Sequence, residues 1–188
     1  VRSSYARRGA LPKKKDALEL KHLDMLLATC DGTPAGIRDR ALLLFAFASG
    51  GRRRSEVAAA DLSLLKKTGM NFTYHLGFSK TNQQGAEHAD SKKPIKGPAA
   101  DAMRAWLRLL TANGIHGGPI FRRIRRGGHI TLDPLSDAGV WEIVKTRCTK
   151  AKLEGDFSAH SLRSGFMTEA GRAKVSLKEM MAFSGHSD

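Results

Sequence analysis

Two residues near the end of the sequence, His160 and Arg163, have the types and the spacing that act on a phosphate group. They occur in the stretch AHSLRSGF, within a predicted helix, where side chains three positions apart lie on one face. An imidazole can exchange a proton with a phosphoryl oxygen, and a guanidinium neutralises the charge of that oxygen. The pair indicates phosphodiester chemistry, although H-x-x-R alone is a frequent pattern in an arginine-rich chain.

A second arginine with an unusual setting is Arg53, in the stretch SGGRRRSEV. It lies between a glycine turn and the start of a helix, and Glu56 follows three residues later. An arginine held at such a turn can present both arms of its guanidinium to a phosphate, beside the N–H groups of the helix start. The alternative is a basic surface turn followed by an ordinary helix-start acid.

Lys80 and His186 are further candidates. Lys80 ends a predicted strand in GFSKTNQQG, where a hairpin lysine can protonate a leaving oxygen; the alternative is a solvated lysine. His186 follows a glycine that ends a helix, a position that the helix dipole alone also favours. No Asp, Glu or Cys joins His160 and His186 at ligand spacing, so we expect neither a metal nor another cofactor.

Positive charge dominates the composition, with 32 Lys and Arg against 18 Asp and Glu and a net charge of +14. Such an excess favours a polyanionic partner, most commonly nucleic acid, over the alternative of a merely soluble basic surface. Residues 1–15 carry six cations and no acid. The residues predicted to contact DNA are Arg52, Arg54, Arg122, Arg123, Arg125 and Arg126.

Length and apolar content predict one domain. A chain of 188 residues with 41% hydrophobic residues can bury a proper core, and residues 1–14 have the composition of a basic linker or arm. No apolar run reaches membrane-spanning length, and the first residues lack the apolar segment of a signal peptide. Two cysteines, Cys30 and Cys148, give no disulfide framework, which suits a reducing cytoplasm.

The pattern of apolar residues predicts an α+β fold, mostly helical with a small three-stranded antiparallel sheet. A helix is expected from Thr33, as N-cap before Pro34, to Ser49. Strands are expected in LSLLKK, NFTYHLGFSK and KKPIKG, and a helix after Pro98 that stops at Gly114. The stretch GGPIFRRIRRGGHITLDP reads as a loop, and helices follow in LSDAGVWEIVKTRCTKAKL, SAHSLRSGFMTEAG and SLKEMMAFSG.

In chain order these pieces read G-x-R-x-x-E, a hairpin lysine, H-x-L-R and a late G-H. That order resembles the tyrosine recombinases, the phage-integrase family of site-specific DNA recombinases. The resemblance runs from about Lys15 to Asp188 and implies the family's C-terminal catalytic domain, residues 15–188. The stretch RDRALLLFAFASGGRRRSEV resembles the helix that leads into the family's first arginine. Four boxes in the family's order make the match specific.

The resemblance implies a catalytic role for five residues, with Glu56 in support: Arg53, Lys80, His160, Arg163 and His186. In the family these groups surround the scissile phosphate of one DNA strand, and no metal is used. A tyrosine attacks the phosphorus, which leaves a 3′-phosphotyrosyl link and a free 5′-hydroxyl. The arginines oppose the charge on the phosphoryl oxygens, the lysine protonates the 5′-oxygen, and the histidines handle protons.

Departures from the family's pattern leave two choices open. Three consecutive arginines, Arg52–Arg54, stand where the family has one arginine between apolar residues, so Arg53 has two neighbouring competitors. The hairpin is also long for the family, which leaves Lys92 and Lys93 as rivals to Lys80 for the role of general acid.

The family's nucleophile has no counterpart in this sequence. The family places its tyrosine roughly nine residues beyond the late histidine, whereas the sequence ends at Asp188, directly after His186 and Ser187. Tyr5 and Tyr74 lie in the basic arm and in a predicted strand, and neither matches the motif. We therefore expect a catalytic domain that stops before its nucleophile, is inactive by itself and is monomeric.

The resemblance also implies partners, which are double-stranded DNA and other recombinase protomers in a synaptic complex, with no membrane. It implies a location in the prokaryotic cytoplasm, associated with the nucleoid. The first alternative is a non-catalytic DNA-binding module that keeps the fold. A type IB topoisomerase relative and a basic RNA-binding domain with accidental motifs are the others, and the late G-H and the G-x-R-x-x-E box favour a recombinase over a topoisomerase.

Overall fold

Six α-helices and five β-strands form the part of the chain that the computed structural model describes, residues 16–76, 92–157 and 159–174. The helices are α1 (Leu20–Ala28), α2 (Pro34–Ala48), α3 (Arg54–Ala58), α4 (Pro98–Ala112), α5 (Asp137–Lys150) and α6 (Ala159–Arg172). The strands are β1 (Leu65–Thr68), β2 (Asn71–His75), β3 (Lys92–Ile95), β4 (Arg122–Ile124) and β5 (Ile130–Pro134). The predicted α+β class is confirmed, and the helix predicted in SLKEMMAFSG lies outside the described residues.

Helix α2 lies at the centre of the hydrophobic core. It begins as predicted, because the Thr33 hydroxyl accepts the N–H of Gly36 at 3.1 Å and Pro34 occupies the first helical position. Helix α4 packs along it, and both helices direct large side chains inward. The large side chains that the two helices bury include Leu42, Leu43, Phe45, Met103 and Trp106.

The predicted three-stranded antiparallel sheet is present, and its strand order is β1-β2-β3. Tyr74 of β2 lies opposite Lys93 of β3, and Phe72 lies opposite Ile95. These four side chains are buried, because alternate residues of a strand point to the same face. The edge of the Tyr74 ring meets the Phe45 ring of α2 at a centroid distance of 5.0 Å, which fixes the sheet against the core.

Strands β4 and β5 correct the prediction of a loop at GGPIFRRIRRGGHITLDP. They pair antiparallel around a turn in which the Arg125 N–H donates to the His129 carbonyl at 2.9 Å. Gly127 and Gly128 both have positive φ, which the turn requires. The Arg122 guanidinium donates to the Leu132 carbonyl across the hairpin. The sequence did carry a signal for this hairpin, since a short turn that contains glycine commonly joins two antiparallel strands.

A buried network of two arginines and one aspartate joins α2 to α5. Asp39 accepts from the Arg38 guanidinium at 2.8 and 2.9 Å and from the Arg147 guanidinium at 2.7 and 2.9 Å. The remaining guanidinium nitrogens donate to the carbonyls of Arg122 and Thr29. Each charge is therefore both paired and hydrogen-bonded, which is the condition for burying ions at acceptable cost.

Candidate active site

The Gly50–Gly51 turn brings two distant parts of the chain together. Both glycines have positive φ, 98° and 67°, a conformation that other residues rarely adopt. The backbone of Gly51 also lies so close to α6 that a Cβ at this position would overlap the Cα of Arg163. Glycine is therefore required here for two reasons, and the turn fixes Arg53 and Arg163 on neighbouring segments.

Glu56 organises the arginines that follow the turn. One of its carboxylate oxygens accepts the backbone N–H of Arg53 at 3.0 Å, and the other accepts from the Arg53 guanidinium at 3.2 Å. The carboxylate also lies 3.6 Å from the guanidinium of Arg52, whose side chain is 2% exposed, against 40% for Arg53. One acid therefore holds a buried and a half-exposed guanidinium at the start of α3.

Arg163 is a buried cation in a positively charged setting. It is 3% exposed, and one guanidinium nitrogen donates to the Gly51 carbonyl over a long 3.4 Å. Burial, and then the nearby charges of Arg53 and Arg52, lower the pKa of Arg163 to about 10, while Glu56 opposes the shift. The fold therefore holds this charge at a cost that an incoming anion would relieve.

These arginines line one concavity of about 280 Å³ in the described part of the chain, together with two residues that the sequence did not indicate. Its lining residues are Arg52, Arg53, Arg54, Ser55, Asp137 and Arg163. A site with convergent guanidiniums is suited to an oxyanion such as a phosphodiester. Asp137 begins α5, and only the packing of α5 against α3 brings it here, so no local sequence signal identifies it.

The structure locates only some of the remaining predicted catalytic residues. Lys80 and His186 lie outside the described residues, and His160 is described only as backbone within α6. Of the two rival lysines, Lys92 is exposed on β3, whereas Lys93 is 1% exposed and points toward the core face of the sheet. The choice of general acid therefore stays a prediction.

The six arginines predicted to contact DNA fall into two groups. Arg52 and Arg122 are buried, each 2% exposed, and the exposed ones are Arg54, Arg123, Arg125 and Arg126. Arg123, Arg125 and Arg126 are exposed on or beside the β4–β5 hairpin, where they can reach a ligand. Arg122 is 2% exposed and donates to the carbonyls of Leu132 and Gly117. This placement gives Arg122 a structural role, so Arg122 is not among the proposed DNA contacts.

The setting of Arg163 leads to a prediction on stability. Arg163→Met is expected to leave Tm unchanged or raise it, by about 2–4 °C for each kcal/mol gained. Methionine has similar bulk and removes a buried charge from beside two others. The folded state lowers the pKa of Arg163, so its cost to stability is present at pH 7 and is relieved as pH rises through about 10. The advantage of the variant should therefore shrink in that range.

Thermal unfolding in phosphate-free buffer, followed by circular dichroism at several pH values, measures this effect. The control is Arg38→Met, which leaves Asp39 paired with Arg147 alone and should lower Tm. If Arg163→Met lowered Tm as much as the control does, Arg163 would be a stabilising residue and not a charge held for a ligand.

Two kinds of feature are absent from the described residues. No described helix is both long and apolar enough to cross a bilayer. Within the same residues, no group of three or more His, Cys, Asp or Glu side chains is placed to hold a metal ion.

Known sequences resemble this chain over nearly its whole length. The sequence profile of the phage integrase family matches residues 16–188. An integrase/recombinase XerD homolog of Selenomonas ruminantium is 32% identical over 183 residues, which cover 95% of this chain and 53% of the relative. Tyrosine recombinase XerD of Lacticaseibacillus casei is 29% identical over 168 residues, with coverages of 88% and 53%. The chain spans about half the length of these curated relatives.

Solved structures share the fold. The XerH site-specific recombinase, bound to its difH substrate in a pre-cleavage complex, superimposes with a TM-score of 0.71 at 17% identity. That match covers 95% of this chain and 49% of XerH. A lambda integrase dimer bound to a COC′ core site gives a TM-score of 0.66 at 19% identity, with coverages of 97% and 48%. Because sequence identity is low, these matches support the architecture alone.

Proposed function

Since the chain belongs to the phage integrase family, we propose that it is the catalytic domain of a site-specific DNA recombinase that uses a 3′-phosphotyrosyl intermediate. The observation that carries the proposal is the shared concavity of Arg53, at the N-cap of α3, and Arg163 of α6. The curated relatives bear the names of tyrosine recombinases, which supports the same reaction class. The substrate would be double-stranded DNA.

The two arginines would stabilise the transition state for attack on phosphorus. Negative charge grows on the non-bridging oxygens during this attack, and guanidiniums that are already in place oppose it without reorganising. Glu56 supports this role because it fixes the backbone and the guanidinium of Arg53 at once. Arg52 would add positive potential from a buried position, since its guanidinium lies beside Glu56 rather than at the surface.

The proton transfers would fall to residues carried over from the family pattern. Lys80 is proposed to protonate the departing 5′-oxygen, with Lys92 and Lys93 as rivals, and His160 and His186 to exchange protons and donate hydrogen bonds. The nucleophile is proposed to be a tyrosine beyond Asp188. The phosphotyrosyl bond conserves the phosphoester energy, so a second strand's hydroxyl can reverse the step.

The DNA duplex would be held mainly through its backbone. The exposed arginines of the β4–β5 hairpin, Arg123, Arg125 and Arg126, are suited to phosphate contacts, which position a protein without reading sequence. Arg54 would continue this contact from the edge of the concavity. Other recombinase protomers would complete the assembly on DNA, as in the lambda integrase neighbour, which is a DNA-bound dimer. The proposed location is the bacterial cytoplasm, since the curated relatives are bacterial proteins.

DNA binding by residues 1–188 tests the substrate class. We expect the affinity for a labelled duplex, measured by fluorescence anisotropy, to fall steeply between about 50 and 200 mM salt. Arg125→Ala should reduce the slope of log K against log salt by about one, because one phosphate contact is lost. The matched control is Arg108→Ala, which removes an exposed arginine from α4. If both variants gave the same slope, the β4–β5 hairpin would not contact the DNA. A DNA affinity that does not change with salt concentration would contradict the proposed function.

A further inference from the structure

Helix α6, which carries Arg163, has a sequence that favours a helix only weakly. It contains the small or β-branched residues Ser161, Ser164 and Thr168 and the two glycines Gly165 and Gly171. Each glycine inside a helix costs about 1 kcal/mol relative to alanine. A helix of 14 residues with this composition depends on tertiary contacts for its stability.

The main-chain segment Asp16–Leu20, which we name the α6 brace, supplies such contacts along one face of α6. The N–H of Leu18 donates to the Ser161 carbonyl at 2.8 Å, and the N–H of Leu20 donates to the Glu169 carboxylate at 3.2 Å. Glu19 accepts from Arg172 at 2.9 Å, and this hydrogen bond lowers the pKa of Glu19. The contacted residues of α6 recur every three or four positions and so form one stripe.

Gly165 lies in the middle of this stripe, and the brace explains why it is glycine. A Cβ at position 165 would overlap the carbonyl oxygen of Leu18, so any larger residue would push the brace away from the helix. Gly171 differs, because a Cβ at that position would meet nothing within 4 Å. The close approach of the brace therefore accounts for the loss of helix propensity at Gly165.

Arg163 lies on the opposite face of α6 from the brace. It is two positions from both Ser161 and Gly165, and two positions correspond to about 200° around a helix. On that face its Cα packs against Gly51 of the glycine turn. The helix is therefore held between the brace on one side and the turn on the other.

We propose that the α6 brace is a positioning element that sets the location of the Arg163 guanidinium in the arginine-lined concavity. The inference rests on the proposed function, in which this guanidinium binds a phosphoryl oxygen. The brace touches no reacting group and acts through α6 alone. Loss of the brace should therefore weaken anion binding in the concavity, even in a chain that stays folded.

The first test compares Gly165→Ala with Gly171→Ala in residues 1–188. We measure the affinity for inorganic phosphate by titration calorimetry and the amide hydrogen exchange of α6. Gly165→Ala should weaken phosphate binding about fivefold or more, the equivalent of roughly 1 kcal/mol, and accelerate exchange in α6. Gly171→Ala should leave phosphate binding unchanged and slow the exchange, because alanine favours the helix.

Each failure has a distinct reading. The proposed function fails if the wild-type chain does not bind phosphate. It also fails if the Arg53→Ala variant binds phosphate as tightly as the wild type does. If the wild type binds but Gly165→Ala binds equally well, the positioning role fails. If Gly165→Ala accelerated hydrogen exchange in α6 without weakening phosphate binding, the brace would stabilise α6 but would not position Arg163. If exchange in α6 were unchanged, the brace would not stabilise the helix.

The second test does not depend on the folding of Gly165→Ala. Glu19→Arg and Arg172→Glu should each weaken phosphate binding about two- to fivefold, as expected for loss of one exposed ion pair. The double variant keeps the net charge and recreates the pair with its ends exchanged, so it should recover part of the affinity. Recovery is incomplete because Glu169 and Lys21, which pair with Arg172 and Glu19 in the wild type, then face like charges. The absence of recovery would overturn the proposal, because a loss that charge exchange cannot reverse does not come from the brace.

Discussion

Replacing Arg163 or Arg53 by alanine is expected to abolish covalent attachment of the protein to DNA while most of the DNA binding remains. In the proposed mechanism each guanidinium opposes the additional charge that grows on the phosphoryl oxygens in the transition state, and loss of one such donor costs about 10²- to 10³-fold in rate. Non-specific binding depends on many phosphate contacts, so the loss of one cation changes it little. The assay uses the protein with its tyrosine-bearing segment and a nicked suicide substrate, with the adduct separated on a denaturing gel.

Two further variants make this result specific. Arg108→Ala removes an exposed arginine from α4 and should leave adduct formation unchanged. Arg163→Lys keeps the charge but loses the planar fork, so we expect it to recover little activity. Adduct formation at the wild-type rate by either alanine variant would refute the assignment of the site.

Replacing Asp39 by alanine is expected to destabilise the fold by about 3–5 kcal/mol, because two buried guanidiniums lose their counter-ion. Arg38 and Arg147 are both buried, and both direct their side chains at Asp39. Urea unfolding gives the free energy of unfolding directly. The matched control is Asp24→Ala, an exposed aspartate of α1, for which we expect a change of no more than about 0.5 kcal/mol.

The triple variant Arg38→Met, Asp39→Leu and Arg147→Met separates two explanations of that loss. If the cost of Asp39→Ala comes from unpaired buried charges, removal of all three charges should restore much of the stability. If the triple variant is as unstable as Asp39→Ala, the network contributes through its exact packing instead. A loss below about 1 kcal/mol for Asp39→Ala alone would show that water reaches the two arginines.

Local chemistry made much of the fold predictable. Thr33 and Pro34 define the start of α2, and the two glycines after it define its end, because caps and turns depend on a few adjacent residues. The sheet follows from the alternation of Phe72 and Tyr74 in β2. The prediction of a loop at the β4–β5 hairpin was wrong, because it overlooked that a short turn with Gly127 and Gly128 can join two paired strands.

Only those residues of the candidate site that stand in a sequence motif could be predicted. Arg53 and Arg163 each stand in a recognisable pattern, and the structure places both in one concavity. Asp137 was missed, because its position there depends on how α5 packs against α3. The role of Gly165 was also missed, since the overlap with Leu18 joins residues far apart in the sequence.

We propose that this arginine site binds the DNA phosphate that a tyrosine beyond Asp188 attacks. The most direct measurement is to trap the protein with a suicide substrate, digest the adduct and identify the linked residue by mass spectrometry. We predict a 3′-phosphate on a tyrosine about nine residues beyond His186, in protein read from the coding sequence past Asp188. A stop codon directly after Asp188, an adduct on Tyr5 or Tyr74, or no adduct from protein that binds the duplex would contradict the claim.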